Sequence, residues 1–583
     1  MDLRLLFEQL HEENAAREKH FSIRSQWLSW VRTGFFLAWA YAFYVALQIQ
    51  DKGFLTAVVV IGLILFVILV QYHRSIGHQR VFYKRKKDFC HEEIRGMEGD
   101  ILSREDGARF RDRSHPYAED LDLFGPLSLF HHLNRCQLGV SRKLLAGYLT
   151  APSEKTDAMA RQQAIRELAE DLDWMLGFRA SIQGDRTTNS AFPSFKRISF
   201  ALTVTGYVLG TFSAFVLSAY FLLNLPVGYV MVMAFIHMII LFFFQKKAQQ
   251  AGWGWSHAYQ GLQSYLSAIR WMRRLRSNSL RLQQLQECVG DQAVKEMRQL
   301  GQLVHLLDSR ANMVYVILNV FFLLDIHILY RLGRWHARNR GAFVQWQGAV
   351  HEMEVLVSFA FYTRVHPEFH FPELDEKSRQ FCANGLGHPL IRKEARVTND
   401  FVKNVEKLVL ITGSNMSGKS TFLRSVGINM VMAWAGLPVC ARSFSCGRFS
   451  LYTGMRTQDN IKESTSSFYA ELKRIRGMLD LMETSPFPVF YLLDELLRGT
   501  NSADRHMGSL GLIRRLKEGT AYGFVSTHDL ELSGELEGDG QIGNYSFNSR
   551  LENDILHFDY LLTQGKCQST NAFDLMRIMG ILR

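Results

Sequence analysis

The chain has 583 residues, which is room for about three to four domains of ordinary size. Its apolar content of 47%, with 12% aromatic residues, excludes a disordered protein. A net charge of +11 favours a polyanionic partner, either nucleic acid or an anionic membrane surface, and seven dispersed cysteines without metal-ligand spacing predict free thiols.

Four apolar runs predict transmembrane helices arranged as two hairpins. The first hairpin comprises residues 33–49 and 54–72, and the second comprises 199–223 and 226–244. Each run has about the 17–25 residues that a helix needs to cross a bilayer. We interpret the runs as free of the acids, bases and arginine rows that mark a transport path, and therefore expect both hairpins to be membrane anchors.

Basic residues flank these runs on one side. Residues 73–88 contain six lysines and arginines, whereas the turn between the first two runs holds only Asp51 and Lys52. Lysines and arginines also lie just outside both ends of the second hairpin. Because positive residues stay on the cytoplasmic side, we expect a multi-pass protein of the bacterial inner-membrane type, with its remaining parts in the cytoplasm.

Residues 89–198 and 245–375 have the apolar periodicity of helices. The apolar stretch 313–330 is interrupted by Asn319, Asp325 and His327, so we expect a buried core helix there and not a membrane span. Four arginines and a tryptophan within 270–276 could contact nucleic-acid phosphate or form a solvated face near lipid headgroups.

A phosphate-binding loop follows at Gly413-x4-Gly418-Lys419-Ser420. An apolar strand pattern precedes it and a helix pattern follows it, which is the context that such a loop requires. Its backbone N–H groups would surround the phosphates at a helix N-terminus. Lys419 would reach the β- and γ-phosphates and Ser420 would ligate Mg²⁺. The sequence therefore predicts that the chain binds a nucleoside triphosphate.

Two later strand patterns end in polar residues that belong to the same chemistry. The apolar run 489–493 ends in Asp494 and Glu495, and the run 522–526 ends in Thr527 and His528. The carboxyl ends of parallel strands face the ligand crevice. We expect Asp494 to hold Mg²⁺ together with Ser420, and Glu495 and His528 to act on the attacking water.

These motifs resemble those of the MutS family of mismatch-repair ATPases, specifically a membrane-anchored branch. The stretch 413–421 is similar to the family's G-P-N-M-G-G-K-S-T, and 494–500 to D-E-x-x-R-G-T. Residues 387–389, 466–471 and 527–528 resemble further motifs of its ATPase domain. Arg161 to Leu168 and Ala349 to Ala360 are similar to its helical core and returning lever helix.

The resemblance implies a role for each matching residue. Triphosphate binding would fall on the loop and on an asparagine near the adenine, namely Gly413, Ser414, Asn415, Met416, Ser417, Gly418, Lys419, Ser420, Thr421 and Asn399. The family's aromatic stacking position falls on Arg396, which could stack on the base as a cation. Ser466 and Ser467 would reach the γ-phosphate of a partner chain, which implies a homodimer formed through the ATPase domains.

The implied fold is an α/β P-loop domain of ABC type at 376–583, following an all-α MutS-like core and lever domain at 91–375. The second membrane hairpin interrupts that helical domain, and residues 1–90 carry the first hairpin. No stretch resembles the family's mismatch-reading domain. The expected function is an ATP-dependent, Mg²⁺-dependent conformational switch that binds DNA. The alternatives are an ATP-driven membrane scaffold and an ABC-like transporter ATPase, neither acting on DNA.

Overall fold

The structure, a computed structural model, describes residues 3–49, 51–183, 200–223, 225–311, 313–401, 407–414, 416–455, 467–552 and 555–567. Twelve helices precede the first described strand. They are α1 (Leu3–Ile49), α2 (Lys52–Met97), α3 (Leu129–Leu133), α4 (Gly139–Thr150), α5 (Lys155–Glu170), α6 (Leu172–Ser181), α7 (Phe200–Leu223), α8 (Val227–Met272), α9 (Leu280–Cys288), α10 (Asp291–Asp308), α11 (Met313–Phe322) and α12 (Leu324–Val365).

The rest of the described chain alternates strands and helices. The strands are β1 (Glu373–Asp375), β2 (Phe381–Leu386), β3 (Asn399–Phe401), β4 (Leu408–Gly413), β5 (Ser443–Gly447), β6 (Ser450–Gly454), β7 (Val489–Asp494), β8 (Tyr522–Thr527), β9 (Ile542–Glu552) and β10 (Ile555–Gln564). The helices are α13 (Lys419–Ala435), α14 (Ser467–Thr484), α15 (Ser502–Glu518) and α16 (Leu530–Glu535). The molecule is thus mixed α/β and mostly helical.

Helices α1 and α2 form a long antiparallel pair that extends beyond the predicted first hairpin. Ser25 Oγ of α1 lies 3.1 Å from His73 Nε2 of α2, and His11 Nδ1 lies 3.1 Å from the Lys87 carbonyl oxygen. At the far end the apolar segments are exposed. At the near end Phe7 is fully buried and Phe89 packs edge-on against Phe361 of α12, with 4.8 Å between ring centroids. The pair is therefore anchored in the helical core by its base.

Buried charges secure this base. Glu93 of α2 is 1% exposed and receives hydrogen bonds from Arg135 Nε at 2.8 Å, Arg135 Nη2 at 2.9 Å and Arg104 Nη2 at 2.8 Å. Burial acts to raise the pKa of Glu93, but the two guanidinium groups outweigh it and leave that pKa below its usual value. The end of α2 is consequently bound to the segment around α3 by a paired, hydrogen-bonded charge.

Three described helices are long and apolar enough to cross a membrane, namely Leu3–Ile49, Gly53–Met97 and Thr203–Tyr220. The number is up to four if the bent pair Tyr315–Phe322 and Leu324–Val365 counts as one span. The predicted run 226–244 corresponds to the apolar helical segment Val227–Phe243, which is shorter. This run also contains His237, so the expectation that the spans lack a basic side chain is wrong.

The stretch 313–330 is not the single buried helix that its apolar character predicted. It divides at Leu323, whose φ is +51°, into α11 and the start of α12, with an angle of 86° between them. On α11, Val316, Ile317 and Leu318 are 42–49% exposed. No glycine or proline marks the position of the break in the sequence. The polar residues Asn319 and Asp325 were the sequence features that could have indicated it.

Two sheets are formed by the described strands of the C-terminal part. One has the strand order β10-β9-β4-β8-β7-β6, in which β10 pairs antiparallel with β9 and the other neighbours are parallel. The other sheet has the order β1-β5-β2-β3, so this part begins at Glu373, ahead of the predicted boundary at 376. Phe524 of β8 contacts Phe381 and Phe401 of the smaller sheet, with ring centroids 6.0 and 5.0 Å apart.

Polar contacts of Arg161 and Asp120 help to join the helical part to the α/β part. Arg161 Nε of α5 donates to the Ala435 carbonyl oxygen at 2.9 Å, where α13 ends before Gly436 with a φ of +88°. A cation at a helix C-terminus donates hydrogen bonds to the last carbonyl groups of the helix and interacts favourably with the helix dipole. Asp120 has no exposed surface and accepts from Arg474 Nη2 of α14 at 2.6 Å and Thr453 Oγ1 of β6 at 2.7 Å.

The arginine cluster at 270–276 lies at the end of α8. Arg273 forms an ion pair with Asp291, and the Arg274 guanidinium lies 5.0 Å from the centroid of the Trp271 ring. Trp271 itself stacks on Phe82 of α2, with 5.9 Å between centroids. Arg273 and Arg274 therefore contact other residues of the protein, and Trp271 helps to join α8 to α2.

Candidate nucleotide-binding and catalytic site

The loop between β4 and α13 has the geometry of a phosphate cradle. All six residues of β4 are buried, and the loop turns with positive φ at Gly413 (+154°), Met416 (+67°) and Gly418 (+108°). A Cβ at Gly413 would lie 2.8 Å from the Phe547 carbonyl oxygen and 2.9 Å from Ser417 Oγ. Only glycine fits so close a backbone approach. Asn415, predicted to bind ATP, lies outside the described residues.

Lys419 lies at the first position of α13 and points back into the loop. Its Nζ donates to the carbonyl oxygens of Gly413 and Ser414, both at 2.8 Å. Burial lowers the pKa of Lys419, while the carboxylates of Glu495 and Asp494 act in the opposite direction. The ammonium group is thus held over the loop, where phosphate charge would need to be neutralised.

Ser420 and Asp494 meet as the sequence predicts for a magnesium site. Ser420 Oγ donates to Asp494 Oδ2 at 2.7 Å, and the Ser526 hydroxyl of β8 donates to the other carboxylate oxygen. Arg498 Nη2 lies 3.2 Å from Asp494 Oδ2. A hydroxyl and a carboxylate oxygen side by side are ligands that Mg²⁺ prefers. These two residues would hold the ion.

Glu495 and His528 are in direct contact, although 33 positions separate them. Glu495 Oε1 touches His528 Nε2, and Glu495 Oε2 lies 2.9 Å from Arg498 Nε. The other ring nitrogen of His528 lies 3.0 Å from the Gly413 carbonyl oxygen. The parallel pairing of β7 with β8 and of β8 with β4 brings these three strand ends together. His528 therefore links the Glu495 carboxylate to the phosphate loop.

The pKa of Glu495 is set by opposing effects. Burial acts to raise the pKa, but the hydrogen bond and charge of His528, with the charges of Arg498 and Lys419, outweigh it and hold the pKa below its usual value. Glu495 also has a left-handed backbone, with a φ of +54°, and its N–H donates to the Ser526 carbonyl oxygen at 3.1 Å. The carboxylate is ionised at neutral pH and held in one place.

A cavity of about 480 Å³ lies beside the phosphate loop. Ile391, Val397 and Phe547 give it an apolar side, and Tyr560 and His388 also line it. Burial and the charges of Arg424 and Arg396 lower the pKa of His388 to about 4, so its ring is neutral. An apolar space next to a phosphate cradle fits a nucleoside.

The residues present fit a bound triphosphate. Ser414 Oγ, Ser417 Oγ and Arg424 Nε are buried polar atoms without a hydrogen-bond partner among the described residues. Buried hydroxyls in proteins are normally paired, so the two unpaired hydroxyls of the glycine loop, those of Ser414 and Ser417, indicate a polar ligand. Met416 is 84% exposed and leaves the mouth of the cavity accessible.

Comparison with known proteins identifies the domain. Residues 409–581, which include the phosphate loop, Asp494, Glu495 and His528, match the family profile described as MutS domain V. The C-terminal domain of the chain belongs to the MutS family. Members of the MutS family are ATPases, in agreement with the loop and acids described above.

Individual MutS relatives match about a third to two fifths of the chain. DNA mismatch repair protein MSH6 of Arabidopsis thaliana is 29% identical over 258 residues, 41% of this chain and 19% of the relative. DNA mismatch repair protein MutS of Natronomonas pharaonis is 28% identical over 40% of this chain and 27% of the relative. Endonuclease MutS2 of Enterococcus faecalis is 28% identical over 33% and 24%. The chain thus spans about a quarter or less of these relatives' lengths.

One expectation taken from the MutS resemblance is wrong. Arg396 does not face the cavity as a cation ready to stack on a base. Its guanidinium donates twice to the Ile391 carbonyl oxygen, at 3.0 and 2.8 Å, and lies 5.2 Å from the centroid of the Phe369 ring. Glu368 pairs with it at 3.4 Å. Arg396 is consequently a structural residue that fixes the cavity wall.

Tyr560 lines the cavity, whereas Arg396 does not. It lies in β10 where the register with β9 shifts, with a φ of +56°, and a Cβ at Gly418 would lie 3.2 Å from its ring. Asn399, predicted to bind ATP, lines the same cavity and also supports this position: its amide group donates to the Tyr560 carbonyl oxygen at 3.1 Å and accepts from Leu562 N at 2.7 Å. No motif in the sequence pointed to Tyr560.

The two serines predicted to act on a partner chain mark the start of α14. Ser466 lies outside the described residues, and of Ser467 only the backbone, at the first position of α14, is described. One turn later Glu471 accepts from Leu497 N at 2.5 Å and Arg498 N at 3.1 Å. Helix α14 is therefore bound to the segment that follows Asp494 and Glu495. Thr421, predicted to bind ATP, lies in the first turn of α13 and lines the cavity.

Proposed function

We propose that this chain is a membrane-anchored MutS-family ATPase that works as a homodimer and switches conformation with ATP. The single observation that carries the proposal is the convergence of Lys419, Ser420, Asp494, Glu495 and His528 at one sheet edge beside a cavity. A scaffold that only binds nucleotide would have no need of an ionised glutamate held by a histidine at the phosphate loop.

The chemistry of hydrolysis can be assigned to these residues. Bound Mg²⁺ supplies charge to polarise the phosphates. Lys419 neutralises phosphate charge, and Ser420 and Asp494 would hold the ion. Glu495 is ionised, so it accepts a hydrogen bond from the attacking water and orients it. His528 fixes the orientation of the Glu495 carboxylate, and Arg498 limits its movement from the other side.

Glu495→Gln tests this assignment. The amide keeps the size of the side chain and removes the charge, so ATP binding is expected to persist while phosphate release falls by at least about 100-fold. Glu483→Gln is the matched control, because Glu483 is an exposed residue of α14 outside the site. Phosphate release and ATP affinity are measured on full-length protein in nanodiscs. Wild-type turnover by the Glu495→Gln protein would exclude the proposed role.

Membrane insertion is supported by the exposed apolar helices and by their basic flanks. In the first hairpin, Leu37, Ile61 and Ile68 are 57–64% exposed, and in the second Phe215 and Phe242 are 67 and 71% exposed. Such surfaces are unfavourable in water and favourable in lipid. The full-length protein is expected to float with liposomes at pH 11, whereas recovery in the soluble fraction would contradict insertion. The ATPase domain would then face the cytoplasm.

DNA is the proposed ligand of the helical part. The supporting observations are the net charge of +11 and the similarity to two relatives that are named DNA mismatch repair proteins. Binding of a DNA duplex by the nanodisc-embedded protein should weaken steeply as salt rises, because phosphate contacts release counterions. An absence of salt-dependent binding, with and without ATP, would remove DNA from the proposal and leave the ATPase switch untouched.

A further inference from the structure

A third apolar helix packs against the second hairpin. Helix α11 lies against α7 and α8 and leaves Val316, Ile317 and Leu318 49, 47 and 42% exposed. Because consecutive residues of a helix are about 100° apart, these three cover about 200° of its circumference. A helix on a water-facing surface would place polar residues over that arc.

The backbone groups released by the bend after α11 are satisfied by protein. The break at Leu323 deprives the Val320 carbonyl of its helical partner, and His237 Nδ1 of α8 donates to it at 2.9 Å. Asp325 N donates to Asn319 Oδ1 at 2.9 Å. His237 is 1% exposed. At the water-facing end of a helix such groups bond to solvent, whereas in hydrocarbon each needs a protein partner.

The one acid at the bend is neutralised in the same way. Asp325 is 5% exposed and accepts from Arg310 Nε at 2.9 Å, Tyr315 OH at 2.6 Å and Asn319 Nδ2 at 3.1 Å. Three donors and one opposite charge leave no unpaired anion. This is the arrangement that makes an ionisable group tolerable at membrane depth.

Small residues on α7 allow the bend between α11 and α12 to approach α7 closely. Gly206 and Gly210 are four residues apart, the spacing of close helix packing in membranes. A Cβ at Gly206 would lie 3.4 Å from His327, and one at Gly210 would lie 3.7 Å from the Phe322 carbonyl oxygen. Between them, the Tyr207 ring packs against His327 with 4.1 Å between centroids. The bend is therefore built into the hairpin and is not a surface loop.

We propose that α11 is a third membrane-inserted element, whose residues Val316, Ile317 and Leu318 contact lipid acyl chains, and that helix α12 starts at this depth. Lipid is the occupant because the exposed face continues the exposed apolar surface of α7 and α8, where Phe215 and Phe235 are 67 and 60% exposed. The inference rests on the proposed membrane insertion of the second hairpin.

Single nitroxide labels in nanodiscs test the depth of α11. The background carries Cys288→Ser and Cys382→Ser, because these are the two partly exposed cysteines and the other five are buried. Cysteine is placed at Leu318, at Phe215 of α7 as the lipid reference, and at Val344 of α12, 63% exposed, as the water reference. Collision rates with oxygen and with a water-soluble nickel chelate are measured by power saturation.

The label at 318 is expected to collide with oxygen several-fold more often, relative to the nickel chelate, than the label at 344, and to match the label at 215. A label at 318 that matches 344, or that is shielded from both reagents as in a protein interface, would overturn the inference while 215 remains lipid-exposed. A water-exposed label at 215 would instead overturn membrane insertion of the hairpin, and with it the basis for α11.

Discussion

Glu495 shows how neighbouring charges select between two roles for a carboxylate. A carboxylate whose pKa is held below the usual value is a weak base at neutral pH, although it remains a good hydrogen-bond acceptor. His528, Arg498 and Lys419 all act in this direction. The geometry therefore favours orientation of water over abstraction of its proton in the ground state. Thr527 and His528 contribute to the site through their position, because β8 ends beside the phosphate loop.

Tyr560 provides a prediction about nucleotide affinity. If its ring packs on the base, Tyr560→Ala should weaken ATP binding by about 3- to 10-fold, the effect of losing one aromatic contact worth about 1 kcal/mol. Leu561→Ala is the control, since Leu561 is the next residue of the same strand and is 45% exposed. Equilibrium binding of a fluorescent ATP analogue measures both. Equal affinities of the two variants would place the base elsewhere in the cavity.

His351 provides a prediction about pH. Burial lowers the pKa of His351 to about 4, while its ring bonds Ser141 Oγ at 3.0 Å and Tyr265 OH at 3.1 Å. The unfolded chain has a pKa near 6.5 and binds the proton first, so stability is fully present above pH 6.5 and falls as pH drops towards 4. The loss from this residue is about 3 kcal/mol.

His351→Gln keeps both polar partners and removes the titration. Its unfolding midpoint, measured by tryptophan fluorescence in detergent between pH 7.5 and 4.5, should fall less steeply with acid than that of the wild type. Other buried histidines, such as His388, titrate in the same direction and leave a residual slope. Parallel curves for the two proteins would mean that His351 does not resist protonation.

At the scale of elements, the contact between Asp120 and α14 joins the helical part to the segment that carries the predicted trans serines. Arg474→Met removes the ion pair and leaves the buried Asp120 carboxylate with fewer donors, at a cost of about 3 kcal/mol in unfolding free energy. Adding Asp120→Asn removes the charge as well and should recover part of that loss. A double variant less stable than Arg474→Met would show that the pair is not the cause.

Sequence spacing predicted the elements in which one local pattern decides the conformation. The glycine loop before α13 and the acids at the end of β7 belong to that class, since strand, turn and helix follow from adjacent residues.

Tyr560 was missed because a register shift in an antiparallel pair, and not a motif, turns it towards the loop. Arg396 was misplaced because the Ile391 carbonyl and Phe369, both brought to it by tertiary packing, compete for its guanidinium. At the bend, the Val320 carbonyl accepts from His237, which lies 83 residues away in the sequence.

At the scale of the whole molecule, the proposed dimer predicts complementation. Glu495→Gln and the double variant Ser466→Ala/Ser467→Ala should each be inactive. If the serines act across the dimer, a mixed pair keeps one intact composite site, with Glu495 from one chain and the serines from the other. Equimolar co-expression should restore about a quarter of wild-type turnover, since about half of the dimers are mixed and one site in each is intact. No recovery would place both functions within one chain.

The base of the first helical pair has a consequence for how two copies meet. Phe7 and Phe89 are buried in the same core as α12, and Glu93 is held by two arginines. Helices α1 and α2 are therefore rigidly joined to the helical core. Helices of 46 or 47 residues are about 70 Å long. With the proposed insertion of their apolar ends, they would hold the ATPase domain at a set height above the bilayer. In the proposed membrane-anchored homodimer, neighbouring copies would meet by diffusing within a plane. Encounter in two dimensions with the correct face presented raises their effective concentration, so pairing can occur at copy numbers too low for freely diffusing molecules.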